Sequence, residues 1–226
     1  MAKIIFFGDS ITALRKNNKV ASEFFAEKFP EFEIVNKGVG GNDTNLARER
    51  FQKDVMDEKP DLLIFSFGCN DAAIDVWKQK TLPRLTIEEY LGNLRFFISE
   101  MRSIGAEMIF FTPPPMLLVE GLKPYYGGEP YTSKGFNFML DQFIAAAGRL
   151  MAEEGIEMVD INAFFRQVTA NDDEKFVNLF PDGMHPNTEG QKMIFGKLCE
   201  AFEKIREKRA NFKTPQNCQS ALASIC

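Results

Sequence analysis

Short apolar runs alternate with longer amphipathic stretches along most of this chain. Such alternation is typical of strands that cross over through helices into a parallel sheet, because these strands are covered on both faces and are apolar throughout. Five runs fit buried strands, at residues 4–7, 33–36, 62–67, 108–112 and 157–160. The pattern predicts an α/β fold, a three-layer flavodoxin-like sandwich around a central five-stranded parallel sheet.

The amphipathic stretches between the runs predict five helices. One begins with a capping box, in which Thr86 and Glu89 satisfy free amides of the first turn. The predicted helices cover residues 20–29, 45–55, 86–104, 136–154 and 188–209. The segment 113–131 is rich in proline and glycine and has no periodicity. We therefore expect a loop there, longer than a simple connection requires, that forms a wall of a substrate site.

The chain has 226 residues, a length that can bury a large core and that fits a single α/β domain. We expect that domain to span residues 1–210. After Arg209 the apolar periodicity stops and small polar residues take over, so residues 211–226 are predicted to form a surface tail. The cysteines lack metal-ligand spacing and are expected to be free thiols, although pairing of the last two within the tail stays open. They are Cys69, Cys199, Cys218 and Cys226.

The net charge of −5 provides no basic surface for nucleic acid or acidic lipid. The apolar run before Gly8 is too short for a signal peptide or a membrane span. We therefore expect a cytoplasmic protein whose partner is a small molecule, with no nucleic acid and no membrane span. The composition does not indicate an oligomeric state.

His185 is the only histidine of the chain, so any chemistry that depends on an imidazole must use it. It stands three residues after Asp182 near the C-terminal end, whereas Ser10 directly follows the first predicted strand. A serine hydroxyl becomes a nucleophile when an imidazole, oriented by a carboxylate, takes its proton. The three side chains are thus candidates for a serine hydrolase. A lone surface or helix-capping histidine is the alternative.

Small and polar residues also follow other predicted strands. Residues 38–44 follow the second strand, residues 68–71 follow the third, and residues 182–185 precede the last helix. In an open parallel sheet, ligands bind at the carboxyl ends of the strands, where loops and helix N-termini converge. We therefore expect these clusters and Ser10 to lie on one edge of the sheet.

Asp9 and Asp71 stand beside this expected site. We interpret both as acceptors for amides of loops and helix N-termini, with contact to substrate or metal as the alternative. A two-metal phosphoesterase normally uses several imidazole ligands, and a phosphatase with Asp9 as nucleophile would carry an acid where Ile11 stands. The glycines at 38 and 40 resemble the start of a dinucleotide loop, but Asp43 occupies the place of the third glycine. We predict no metal and no cofactor.

Four blocks of the sequence resemble, in order, those of the SGNH, or GDSL-type, hydrolase superfamily. Each block alone is a weak signal, but four in order, in matching strand contexts and over almost the whole chain, are a specific one. Ile11 stands where the family usually has leucine, and Cys69 where threonine, glycine or alanine is more common; both changes are small or apolar. The blocks are Gly8-Asp9-Ser10-Ile11, Asn36-Lys37-Gly38-Val39-Gly40-Gly41, Gly68-Cys69-Asn70-Asp71 and Asp182-Gly183-Met184-His185.

The resemblance implies a role for each matching residue. Ser10 is the expected nucleophile, Asp182 and His185 complete the triad, and Gly41 and Asn70 join the Ser10 amide as oxyanion donors. Residue chemistry supports the donor roles, because a glycine lets substrate approach its backbone N–H and an asparagine adds a side-chain N–H. An ordinary turn glycine and a helix-capping asparagine are the alternatives.

The substrate is less clearly indicated than the chemistry. The turn at residues 112–115 and the helix opening at residues 87–90 resemble the isoamyl acetate-hydrolysing esterase branch, which implies small carboxylic esters with short acyl chains. Acetylated carbohydrates are the next candidates, followed by acyl thioesters and lysophospholipids. A flavodoxin-like module that binds a small ligand is the non-enzymatic alternative. Candidate residues for an acyl pocket are Phe67, Met116, Leu118 and Tyr126.

Overall fold

In the computed structural model, which describes residues 2–170 and 172–208, five parallel strands form one sheet. Their order across the sheet is β2-β1-β3-β4-β5, and each predicted apolar run lies on one of them. The predicted α/β fold with a central five-stranded parallel sheet is confirmed. The strands are β1 (Lys3–Gly8), β2 (Glu33–Gly38), β3 (Leu62–Ser66), β4 (Glu107–Phe111) and β5 (Glu157–Val159).

Helices connect the strands and continue after the last one, as expected for a parallel sheet, whose strands need crossover connections. The longest described helix follows the Asp182–His185 block and packs across the sheet. The described helices are α1 (Ala21–Lys28), α2 (Thr44–Phe51), α3 (Ile87–Ser103), α4 (Lys123–Tyr126), α5 (Tyr131–Lys134), α6 (Phe138–Glu153), α7 (Ile161–Thr169), α8 (Asp173–Leu179) and α9 (Thr188–Lys208).

The chain changes direction across the sheet at β1. Phe6 of β1 pairs with Asn36 of β2 on one side and with Ile64 of β3 on the other. The connection from β2 to β3 therefore passes over β1. At such a switch point the loops that follow neighbouring strands diverge and leave a crevice at the carboxyl edge of the sheet.

Alternate residues of β1 face opposite sides of the sheet, and each side is covered by helices. Phe6 contacts Phe25 of α1, with ring centroids 5.1 Å apart. On the other side, Phe7 contacts Phe51 of α2 and Phe97 of α3, at 5.5 and 5.7 Å. A fully buried phenylalanine contributes roughly 1.5–3 kcal/mol of hydrophobic free energy. The helices packed on both faces of the sheet fix the strand ends from which the loops at its carboxyl edge begin.

The structure differs from the predicted elements in several places, including the unpredicted single turn α5 and a 3₁₀ turn, Val76–Lys78. α7 and α8 were not predicted. In α7, Ile161, Phe165 and Val168 do recur at helical spacing, whereas α8 has only 7 residues. The helix predicted at 45–55 ends as an α-helix at Phe51 and continues as a π-helical turn, Gln52–Met56. The predicted loop at 113–131 contains a 3₁₀ turn, Glu120–Leu122, and the single turn of α4.

Other sequence predictions have different outcomes. Among the described helices, none is both long and apolar enough to cross a bilayer. Cys69 and Cys199 are free, as predicted. The predicted tail at residues 211–226, with Cys218 and Cys226, lies outside the described residues. The domain limits and the cytoplasmic location stay predictions.

Candidate active site

Ser10 lies in a tight turn at the carboxyl end of β1. Thr12 and Ala13 donate their backbone N–H groups to Asp9 O at 3.2 and 3.0 Å, which closes the turn around Ser10. A Cβ added to Gly8 would lie only 2.2 Å from Thr12 Oγ1. Position 8 therefore requires glycine for the end of the strand to pack this closely against the turn. The first block of the sequence therefore sets the position of the Ser10 hydroxyl.

The structure brings the three predicted triad residues together. Ser10 Oγ lies 2.9 Å from His185 Nε2, and His185 Nδ1 lies 2.7 Å from Asp182 Oδ2. Because a carboxylate can only accept, Nδ1 carries the imidazole proton and Nε2 is left to accept from the Ser10 hydroxyl. This tautomer can take the hydroxyl proton when the oxygen attacks an electrophile.

Asp182 also shapes the loop that carries His185. Its Oδ1 accepts the backbone N–H groups of Met184 and His185 at 3.0 and 2.7 Å. Desolvation raises the pKa of Asp182, but the hydrogen bonds from the imidazole and the two amides outweigh it, and the pKa lies well below its ordinary value. Gly183 has φ +81°, and a Cβ there would lie 2.3 Å from Leu117 O, so this position requires glycine.

The loop after β2 lies next to Ser10. A Cβ on Gly40 would be 3.8 Å from Ser10 Cβ, whereas a Cβ on Gly41 would meet nothing within 4 Å. Position 41 requires glycine because its φ is +77°, not because a side chain there would meet a close contact. Within the described part of the chain, the backbone N–H groups of Ser10 and Gly41 donate to no acceptor. Both are available to a bound oxygen atom.

The Asn70 amide is engaged on all sides. Its Nδ2 donates to Asp9 Oδ2 at 3.2 Å and to Asn42 O at 3.1 Å, and its Oδ1 accepts from Arg84 Nη1 at 3.2 Å. Both amide hydrogens thus have protein acceptors, which the sequence did not suggest. All three contacts are at the long end of the range for such bonds.

Arg84 is a site residue that sequence reasoning missed. Its guanidinium holds Asp75 through two bonds, Nε to Oδ2 at 3.2 Å and Nη2 to Oδ1 at 2.8 Å, and presents Nη1 to Asn70. Arg84 lies in the loop before α3, 14 residues from Asn70. No motif or periodicity links the two positions, so only the folded chain shows their contact.

The structural interpretation of the two buried acids is confirmed. Asp9 Oδ1 accepts from the Ile11 amide at 2.9 Å, and Asp71 Oδ1 accepts from the Thr44 amide at the start of α2, also at 2.9 Å. Burial raises the pKa of Asp9 to about 6 and that of Asp71 to about 7. In the described part of the chain, histidine, cysteine and acidic residues form no cluster that could hold a metal ion.

An apolar pocket opens beside Asn70 and encloses about 360 Å³, including the part open to solvent. Of the four residues suggested for an acyl pocket, Met116 and Tyr126 line it. Phe67 lies instead in the core, against Phe7 at 5.2 Å, and Leu118 is not in the lining. The other lining residues are Cys69, Ala72, Ala73, Tyr131, Phe136, Met139, Leu140 and Met184.

Known proteins are similar to this chain in both sequence and structure. The sequence profile of the GDSL-like Lipase/Acylhydrolase family matches residues 6–193. An acetylxylan esterase of Geobacillus stearothermophilus is 25% identical over 235 aligned positions, which cover 91% of this chain and 97% of that protein. The crystal structure of the lipase/acylhydrolase from Enterococcus faecalis has a TM-score of 0.68 and 24% identity, and covers 96% of this chain and 100% of that chain.

A third relative is matched over only part of its length. The uncharacterized lipoprotein YqeF of Bacillus subtilis (strain 168) is 38% identical over 104 residues. The match covers 46% of this chain and 42% of the lipoprotein, so less than half of that relative is represented. The similarity to the solved structure concerns the fold alone.

Proposed function

The chain belongs to the GDSL-like Lipase/Acylhydrolase family and is a carboxylic ester hydrolase; we propose that it is a serine esterase that removes acetyl groups from carbohydrates. The observation that carries the serine mechanism is the line of contacts from Ser10 Oγ to His185 Nε2, 2.9 Å, and from His185 Nδ1 to Asp182 Oδ2, 2.7 Å. Membership of the family favours hydrolysis over the non-enzymatic binding module.

In the proposed reaction, Ser10 Oγ attacks the ester carbonyl while His185 Nε2 takes the hydroxyl proton. The imidazolium then gives this proton to the leaving alcohol, and an acyl-enzyme on Ser10 is left for water to hydrolyse. Asp182 is a carboxylate throughout, because its pKa lies well below its ordinary value. Its negative charge stabilises the imidazolium that forms in each half of the reaction.

The carbonyl oxygen becomes negative during each attack and needs hydrogen-bond donors. We assign this role to the free amides of Ser10 and Gly41, with Asn70 Nδ2 as the third donor. A donor aimed at the developing charge lowers the barrier by about 3 kcal/mol. The two Asn70 hydrogens already donate to Asp9 Oδ2 and Asn42 O, so its contribution depends on sharing one of them with the oxyanion.

The choice of acetylated carbohydrates rests on two observations. The pocket beside Asn70 is small and is lined by aromatic rings such as those of Tyr126 and Phe136, which favours an acetyl group over a long acyl chain. The relative matched over nearly its whole length is an acetylxylan esterase. Other small short-chain esters are the second candidate, and thioesters or lysophospholipids with long chains fit this pocket poorly.

Acetate release tests the proposal. Purified protein is incubated with acetylated xylo-oligosaccharides, p-nitrophenyl acetate, a palmitoyl thioester and a lysophospholipid, with Ser10→Ala as control. We expect acetate from the first two substrates, little product from the last two and none from the variant. A fluorophosphonate probe should label the wild type at Ser10. If long-chain substrates are hydrolysed faster than the acetylated sugars, the proposed substrate class is wrong.

A further inference from the structure

Two exposed aromatic rings stand beside the proposed active site. Trp77, the only tryptophan of the chain, lies on the 3₁₀ turn Val76–Lys78, and Tyr125 lies on α4. Their ring centroids are 5.9 Å apart and their planes are perpendicular, at 88°. Trp77 is 51% and Tyr125 49% exposed. Single exposed apolar residues are common, but a ring pair leaves a joined apolar corner in contact with water.

The ring pair is continuous with the pocket beside Asn70. Tyr126, the neighbour of Tyr125 on α4, lines that pocket, and the two tyrosine rings are 6.5 Å apart. α4 packs on the Val76–Lys78 turn. The aromatic surface therefore starts where the proposed acyl pocket ends and extends outward from it.

A polar groove lies next to the segment that carries Trp77, because its lining includes Asp75 and Gln79 on either side of that residue. It encloses about 850 Å³, including open solvent, and is lined by Asp43, Asp75 and residues 79–84. Arg84 forms its inner end, where it contacts Asn70, and Gln79 lies two residues after Trp77. Gln79 ends the Val76–Lys78 turn as its left-handed C-cap, with φ +58°.

We propose that this groove and the Trp77–Tyr125 corner bind the sugar residues that flank the acetylated one in an oligosaccharide. A sugar ring presents C–H groups on its faces and hydroxyls around its edge. The negative face of an aromatic ring attracts the C–H groups, and carboxylate, amide and guanidinium groups pair with the hydroxyls. The inference rests on the proposed function, and it names a subsite beyond the acyl pocket.

Lys78 limits how a sugar can lie on Trp77. Its ammonium stands 4.5 Å from the centroid of the indole ring, and it also lies 3.7 Å from Asp75 Oδ2. One face of the indole is thus shared with a cation. The sugar uses the exposed remainder of the indole together with the Tyr125 ring.

Because the chain has a single tryptophan, its fluorescence reports on Trp77 alone. The full chain carrying Ser10→Ala, which prevents turnover, is titrated with unsubstituted xylotetraose and separately with sodium acetate. We expect a saturable change in emission with xylotetraose and none with acetate. Adding Tyr125→Ala should weaken xylotetraose binding at least about threefold, by removing half of the stacking corner. An emission that stays constant with xylotetraose overturns the subsite.

Kinetics provide the second test. The ratio of kcat/KM for acetylated xylotetraose to kcat/KM for p-nitrophenyl acetate should fall roughly fivefold or more in Trp77→Ala, mainly through KM, because the lost contact binds ground state and transition state alike. Trp77→Phe, which keeps a ring, should recover part of the ratio. Ile104→Ala, an exposed apolar residue at the end of α3, is the matched control and should keep the wild-type ratio.

The two proposals fail in different ways. If acetylated xylotetraose is hydrolysed but Trp77→Ala keeps the wild-type ratio, the subsite is wrong and the proposed function stands. If p-nitrophenyl acetate is hydrolysed but no acetate is released from the oligosaccharide, the substrate class is wrong, and the fluorescence titration still decides whether Trp77 binds sugar.

Discussion

Arg84 Nη1 lies 3.2 Å from Asn70 Oδ1, and this contact fixes which end of the Asn70 amide accepts and which end donates. An amide side chain can sit in two orientations of nearly the same shape. A guanidinium only donates, so it selects Oδ1, while the acceptors Asp9 Oδ2 and Asn42 O select Nδ2. The reversed amide would present an acceptor to a developing oxyanion. Arg84 therefore holds the donor in place.

Replacing Arg84 should lower turnover more than binding. In Arg84→Met the amide loses its only cationic partner, and we expect kcat on p-nitrophenyl acetate to fall roughly tenfold, less than the 10² to 10³ for loss of a whole oxyanion donor. KM should change little, because the donor acts in the transition state. Steady-state kinetics should be measured with p-nitrophenyl acetate because this ester has no sugar residue, so any contact of Arg84 with a sugar does not affect the result.

Arg84→Lys should recover part of the loss, because an ammonium can also donate to Oδ1 but cannot hold Asp75 through two parallel bonds. Arg95→Met on α3, which removes an exposed arginine, is the matched control and should retain wild-type kcat. A rise in KM with unchanged kcat would instead make Arg84 a substrate-binding residue on this ester.

Ser10 and His185 act on the same proton, so their replacement should not be additive. We expect Ser10→Ala and His185→Ala each to reduce kcat by about 10³ or more, and the double variant to be little worse than either single one. Ser103→Ala, at an exposed serine at the end of α3, should keep full activity. If Ser10→Ala retained more than about a tenth of wild-type kcat, Ser10 would not be the nucleophile.

Features set by local physics could be predicted from the sequence. Buried parallel strands are apolar on both faces, so the runs at residues 4–7 and 62–67 identify β1 and β3 directly. The capping box is local too, and Thr86 and Glu89 form it as expected. That Ser10 and His185 lie near one another was predictable because Ser10 follows β1 and His185 precedes the last helix, and strand ends and helix N-termini converge at the carboxyl edge of a parallel sheet.

Features that depend on contacts between loops could not be predicted. The Arg84–Asn70 and Asp75–Arg84 contacts join irregular segments that no periodic pattern relates. The same holds for the rings around the pocket, since Phe67 and Tyr126 are both aromatic but only Tyr126 reaches it. α8, with 7 residues, spans only about two turns, too few to establish an amphipathic period.

Tyr126 should set the length of the acyl group. In Tyr126→Ala the pocket beside Asn70 loses one aromatic wall, which opens apolar space for further methylenes, each worth about 0.8 kcal/mol when buried. We expect the ratio of kcat/KM for p-nitrophenyl hexanoate to that for p-nitrophenyl acetate to rise about tenfold. Tyr126→Phe keeps the wall and should keep the ratio. An unchanged ratio in Tyr126→Ala would place the acyl group elsewhere.

Asp71 should make the protein less stable as the pH rises. Its Oδ1 accepts from Thr44, but its Oδ2 has no hydrogen-bond partner among the described residues. Burial raises its pKa from 3.8 to about 7. Between these values the folded state holds a proton that the unfolded state has lost, so the free energy of unfolding falls with rising pH. Above about pH 7 this contribution is constant.

Urea unfolding of wild type and Asp71→Asn between about pH 4 and pH 8 tests this linkage. An asparagine carries no charge and can still accept from Thr44. In the variant, the free energy of unfolding should therefore fall less steeply with rising pH, by on the order of 1 kcal/mol per pH unit. Burial also raises the pKa of Asp9 to about 6. Asp9 should therefore cause a smaller decline in the free energy of unfolding with rising pH, and this decline should be present in both proteins.

A control carboxylate whose pKa is shifted in the opposite direction separates this effect from the mere loss of a carboxylate. Asp172 caps α8, and the hydrogen bond from the Lys175 amide lowers its pKa. Its stabilising contribution is therefore present above its unfolded pKa and is lost as the pH falls. Between about pH 4 and pH 8 this contribution is constant, so Asp172→Asn should lower the free energy of unfolding by a similar amount at each pH and keep the slope, whereas Asp71→Asn should make the decline shallower. If Asp172→Asn changed the slope as much as Asp71→Asn does, burial of the Asp71 charge would not be its cause.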